Sequence, residues 1–196
     1  MSYTLNEGML RHVRAPWASP EVERMATRTP APRKITLEEL AKSSEEVLKD
    51  VKFTPKSFAL FMATATHNSY NFRSLSDSGG DTYTFGRITP EELPKFAKWV
   101  RETGRIKTNK ELTDNLHILD EPEYAWLGLV WRQKTEGLLE GDADPDPEIF
   151  LRSDQGLASL RRIYYDKALS LIDVDGSPLD DGSDPEPGPS DANPGV

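Results

Sequence analysis

What most constrains this chain is a helix-start signal that recurs through its middle. Thr36 with Glu39, Thr89 with Glu92, and Thr108 with Glu111 share one spacing. At that spacing a hydroxyl and a carboxylate three residues apart satisfy orphan backbone N–H groups reciprocally. Thr54-Pro55 puts a proline at a first helical position, where its missing N–H is not needed. Asp120, followed by Glu121, Pro122 and Glu123, is an acidic start that suits the positive end of a helix dipole.

Apolar residues continue from these starts at helical spacing. After Thr36 come Leu37, Leu40, Ala41, Val47, Leu48 and Val51, with Glu and Lys between them. Phe58, Phe61, Met62 and Ala65 form the stripe of a second, shorter helix. Leu93, Phe96, Ala97 and Val100 make a third that ends near Gly104, with Pro94 a potential distortion in its first turn. Leu112 and Leu116 belong to a short fourth helix. A fifth, over 121–140, is apolar nearly all round in its first half, with Tyr124, Trp126, Leu127, Leu129, Val130 and Trp131. Such a helix is central in a core or covered by a partner. A sixth spans 154–172. The exception is 68–88, where Tyr70 and Phe72, then Tyr83 and Phe85, alternate with polar residues across a Ser/Gly/Asp-rich turn. That segment reads as a small β-hairpin or, equally, a mobile loop. The expected fold is mainly α, an irregular bundle of about six helices with extended N- and C-terminal arms.

Charge divides the chain in the same way. Residues 1–35 carry Arg11, Arg14, Arg24, Arg28, Arg33 and Lys34 against three acids, with Pro16, Pro20, Pro30 and Pro32. They read as an extended basic arm with a helical turn near Pro20 to Met25. Residues 36–172 read as the helical domain. Residues 173–196 hold seven acids and no base among prolines and glycines, a composition that cannot bury enough apolar surface to fold alone. Opposite charges on two arms can attract within a chain or between neighbours; the plainer alternative is a pair of solvated tails.

The 196 residues include no cysteine, which removes disulfides, thiolate zinc sites and cysteine nucleophiles. No run approaches the roughly 20 apolar residues needed to span a bilayer, and the N-terminus lacks the apolar segment of a signal peptide. The expectation is a soluble protein, intracellular or within a particle, with no membrane partner.

Candidate chemistry is sparse. His12, His67 and His117 are the whole imidazole supply. On a continuous helix His117 would share a face with Asp114 and Asp120, as a metal site or acid–base pair requires; surface and capping roles explain the three as well. Ser78-Gly79-Gly80-Asp81-Thr82 lacks the Gly-Lys-Ser/Thr ending of a phosphate loop. Asp142, Asp144, Asp146 and Glu148 superficially resemble a calcium loop, but Pro147 replaces the turn glycine and Ser153 the closing glutamate. Asp146-Pro147 is better read as a helix start. No catalytic residue, metal ligand or cofactor is assigned.

The interaction candidates are Lys95, Lys98, Arg101 and Arg105, which fall on about a third of a helix circumference. Lys107 and Lys110 follow them. Trp99, Trp126 and Trp131 add aromatic anchors of the kind that carry protein contacts. Such a strip suits an acidic tail or phosphates, although a solvated helix face explains it too, and a net charge of −9 disfavours nucleic acid. Three functions remain. One is a non-enzymatic structural or assembly protein, such as a multi-copy virion or particle component contacting copies of itself. A second is an acidic adaptor, assembly chaperone or regulator of one partner. The third is a small hydrolase-like enzyme using His67 or His117.

Overall fold

The computed structural model describes residues 3–14, 35–75, 81–139, 144–152 and 158–172. Within them the chain is mainly helical and bundle-like. The helices are α1 (Glu7–His12), α2 (Leu37–Leu48), α3 (Pro55–Asn68), α4 (Leu93–Glu102), α5 (Lys110–Thr113), α6 (Pro122–Thr135), α7 (Glu148–Leu151) and α8 (Ala158–Leu169), with a 3-10 turn over Leu116–Asp120.

The caps explain most of the boundaries. At α2 the box closes fully: Glu39 donates its amide to Thr36 Oγ1 (3.1 Å), and Thr36 donates its own to Glu39 Oε2 (2.9 Å). α3 closes a box without a carboxylate, because Ser57 Oγ accepts the Thr54 amide at 2.8 Å. Ahead of α4 and α5 only the carboxylate half forms, from Glu92 to the Thr89 amide and from Glu111 to the Thr108 amide. α4 stops before Gly104, whose φ of +78° is a backbone shape that side chains resist.

α3 was expected to be shorter than α2 and is longer, 14 residues against 12. It is the axis of the core, packed along its length against α8, while α2 lies on α6. Trp126 ties these layers together. It is fully buried, stacks on Phe61 (5.9 Å), meets Phe85 edge-on (4.9 Å) and donates its indole N–H to the Leu40 carbonyl at 2.9 Å.

Two expectations need correction. Residues 3–14 are not an extended arm. Tyr3, Leu5, Met9, Leu10 and Val13 are buried, and Tyr3 stacks on Phe58 at 4.2 Å. Lys167 of α8 donates to the carbonyls of His12 (3.1 Å) and Arg14 (2.7 Å) and so satisfies the end of α1. The remainder of the expected arm, 15–34 with its turn near Pro20, and the acidic segment 173–196 lie outside the described residues. The short fourth helix also breaks: Leu112 is in α5, whereas Leu116 and His117 are in the 3-10 turn.

The 68–88 region contains no strand among its described residues, only one bridge between Tyr83 and Ile88. Instead Tyr70, Asn71 and Phe72 take successive left-handed conformations (φ +51° to +62°), followed later by Thr84 (+65°) and Arg87 (+50°). Asn71 takes this shape readily, but each of the others costs roughly 1–2 kcal/mol. The 83–88 turn is held there by its approach to α6. A Cβ on Gly86 would lie 2.1 Å from the Gly128 carbonyl oxygen, and one on Gly128 would lie 2.0 Å from Thr84 Oγ1.

Candidate functional site

The basic strip divides in the structure. Lys95, Lys98 and Arg101 are exposed on α4, with Lys107 and Lys110 exposed beyond it; Lys98 lies 3.9 Å from Glu102. Arg105 is not part of the free face. It pairs with Glu123 and donates to the Glu46 carbonyl at 2.9 Å, joining α2 to the start of α6. Trp99 is half-buried, stacks on Phe96 (6.2 Å) and lines a groove of about 430 Å³ with Lys49, Arg105 and Lys134. Trp126 and Trp131 are core residues, so neither is available to a partner. Their placement follows from the first half of α6 being apolar nearly all round: that half is buried in the chain's own core.

His117 is exposed on the 3-10 turn, and the break before Leu116 removes the continuous face it was to share with Asp114 and Asp120. Among the described residues no group of three His, Asp or Glu side chains could hold a metal ion. Asp144 instead pairs with Lys56 (3.2 Å), and Asp146 accepts the Glu148 amide (3.0 Å), the helix start expected there.

His67 has a more informative setting. Burial pushes its pKa down to about 4, and the neighbouring Arg161 and Arg87 charges act in the same direction. Arg161 Nε lies 3.3 Å from His67 Nε2. Because a guanidinium can only donate, Nε2 is the acceptor and Nδ1 carries the proton. Nδ1 then donates to Asn68 Oδ1 (3.2 Å), and Asn68 Nδ2 donates to the Phe85 carbonyl (2.7 Å). The result is a directional chain from α8 through the end of α3 to the strained turn. No carboxylate takes part in it.

On the other side of that turn Arg132 makes a second clamp. Its guanidinium reaches the carbonyls of Gly86 (3.0 Å) and Arg87 (3.2 Å) and both oxygens of Glu92, at 2.7 Å to Oε1. The pairing pulls the Glu92 pKa down to about 2.

Between the two clamps lies a cavity of about 350 Å³. Asn68, Arg87, Arg132, Gln133 and Arg161 supply its polar wall, Leu60, Leu138 and Phe150 its apolar wall, and Glu136 one edge. Gln133 is 1% exposed, yet neither its Oε1 nor its Nε2 has a hydrogen-bond partner among the described residues. Arg87 Nε is likewise buried without one. Burial, then the facing Arg87 charge, lowers the Arg161 pKa; burial, opposed by Arg132, raises that of Glu136. Sequence reasoning missed Arg87, Gln133 and Arg161, which are far apart along the chain and share no motif.

Comparison of the chain with protein-family models, curated proteins and solved structures gave no match. No helix among the described residues is long and apolar enough to cross a membrane.

Proposed function

We propose that this chain is a non-enzymatic assembly component whose α4 face receives an acidic protein segment, with residues 173–196 of a neighbouring copy as the occupant. The observation that carries this reading is complementarity. Lys95, Lys98 and Arg101 project from α4 without burial, beside the groove that Trp99 lines. Residues 173–196 of the same chain hold seven acids and no base. Opposite potentials of this kind steer association and set register more than they add raw affinity. A component of a multi-copy particle, a virion included, has that need. Nucleic acid is the weaker occupant, because a body with net negative charge repels it outside the strip. A hydrolase-like role for His67 or His117 lacks geometric support among the described residues: one is held neutral chiefly by burial, with its two ring nitrogens taken up by Arg161 and Asn68, and the other is exposed without convergent acids.

Mass by light scattering tests the proposal. In salt of about 20 mM the full chain is expected to self-associate, and at about 500 mM, where the screening length falls to a few ångströms, to dissociate. Removal of 173–196, or Lys95→Glu with Lys98→Glu and Arg101→Glu, should each give a monomer in low salt. A full chain that stays monomeric at every salt and concentration overturns self-assembly. Capture of a single foreign protein that depends on 173–196 would then point to the adaptor alternative.

A further inference from the structure

The cavity between α3, the 83–88 turn, α6 and α8 is independent of the α4 face. On α6, Leu127, Val130 and Lys134 border the groove beside Trp99, whereas Arg132, Gln133 and the C-cap residue Glu136 border the cavity. At 100° per residue Arg132 and Glu136 lie on the side of the helix opposite Leu127 and Lys134, with Gln133 on the flank between Glu136 and Val130.

Three features of the cavity are left unexplained by the packing around it. Gln133 holds an amide donor and acceptor side by side, buried and unpaired among the described residues. Buried polar groups are ordinarily satisfied, and an exception asks for an explanation. Arg87 and Arg161 bring two like charges to one wall. Arg161 spends Nε on His67 and Nη1 on the Phe150 carbonyl (2.7 Å), while Arg87 Nε is unpaired. An anion between them would relieve their repulsion and fill the vacant donor. Finally, the turn that presents Arg87 has a strained backbone, with φ +50° at Arg87 and +65° at Thr84, fixed from both sides by Asn68 and Arg132. Strain held in place by its surroundings is characteristic of ligand clamps.

We propose that this cavity binds a small organic anion, with its carboxylate or phosphate on Arg87 and Arg161 and an amide-like donor–acceptor edge on Gln133. Its volume suits a compact ligand, and Leu60, Leu138 and Phe150 offer the apolar contact that such sites combine with a few fixed polar groups. Glu136 at the edge disfavours a ligand with a second negative charge there. His67 and Asn68 act as positioning residues, since they hold Arg161 and the turn in place.

Titration of the full-length protein with three probes separates the parts of the claim. N-acetylglycine carries both the anion and the amide, acetate only the anion, and N-acetylglycinamide only the amide. The readouts are the side-chain amide resonances of Gln133 and the melting temperature. N-acetylglycine is expected to shift the Gln133 resonances and to bind about tenfold more tightly than either partial probe, as one well-made charged contact supplies. Inorganic phosphate in place of acetate tells which head group is preferred. Arg87→Met should weaken N-acetylglycine about tenfold, with Arg87→Lys in between. Gln133→Leu should erase the preference over acetate while leaving the fold intact or more stable, because it removes an unpaired buried amide. If about 50 mM N-acetylglycine, enough to populate even a very weak site, moves neither readout, the cavity holds only water and the proposal fails. Equal binding to the wild type and Arg87→Met also overturns it.

Discussion

α2 and the 83–88 turn dock on the same helix, α6, by different physics. α2 uses side chains: Leu40, Ala41, Ser44, Val47 and Leu48 form a buried stripe at helical spacing, anchored where Trp126 bonds the Leu40 carbonyl. The turn uses backbone. The Phe85 amide reaches the Ala125 carbonyl (3.3 Å), Gly86 rests against Gly128, and Arg132 grips two turn carbonyls. A side-chain interface relaxes when one group changes, because neighbours can shift rotamer. A backbone interface has no such slack, and here it also holds left-handed residues in place. The difference teaches that the most fragile part of this bundle should be the least hydrophobic one, and that it is also the part that shapes the cavity.

The largest effect should therefore come from one added methyl. Gly86→Ala sets a Cβ 2.1 Å from a helix carbonyl that cannot move alone. The expected loss is about 3 kcal/mol, at the upper end of overpacking costs, read from denaturant unfolding. Gly128→Ala meets a side chain instead, Thr84 Oγ1 at 2.0 Å. Thr84→Gly should restore much of what Gly128→Ala loses, because it removes the clash and frees a left-handed β-branched residue. Without that rescue, the glycine contact would not be what seats the turn.

A medium effect should follow from pH. His67 is held at about 4 against an ordinary 6.5, so as pH falls the unfolded chain takes up its proton first. The stability that neutral His67 contributes is complete above about pH 6.5 and lost as pH approaches 4. At about 1.4 kcal/mol per unit, the loss is about 2–3 kcal/mol across that window. Glu92 obeys the same sign in a lower window, from 4.5 down to about 2, so the Arg132 clamp should survive while the His67 chain lets go. Hydrogen exchange at pH 4.5 and 7 is the check: the Phe85 amide should lose protection before the α2 amides. His67→Gln should flatten the pH dependence between 6.5 and 4; an unchanged slope would place its source elsewhere.

The same contrast explains what could be read from residues alone. Helix α2 was legible because its cap, stripe and polar face all agree, and α6 because a helix whose first half is apolar nearly all round has few places to go. Leu5, Met9, Leu10 and Val13 also recur on one face, but the prolines that follow hid α1 within an arm. Tyr70, Phe72, Tyr83 and Phe85 alternate like strand residues, and their burial is real for Phe72 and Phe85. What the alternation could not convey is that turns built around left-handed residues, at 70–72 and at Thr84 and Arg87, carry these rings in place of a pleated strand. Gly86 and Gly128 matter only as a pair, forty-two positions apart, and a single sequence has no sign of such a pairing. For the same reason nothing in the sequence singles out Arg87, Gln133 and Arg161. Their roles come from convergence on one cavity, not from local spacing.

The smallest effect tests whether the two docking modes are independent. Thr36→Ala removes the hydroxyl that accepts the Glu39 amide and releases the reciprocal carboxylate. About 1 kcal/mol should be lost, the usual worth of such a cap, with Thr36→Ser nearly neutral. Exchange should quicken in the first turn of α2 and leave the Phe85 amide unaffected, because the cap belongs to a side-chain interface that tolerates local fraying. If the turn loosens in equal measure, strain in 83–88 is balanced by the whole of α2 through Trp126. The two regions would then open as one cooperative unit, and the fragility assigned to the glycine contact would belong to the core between them.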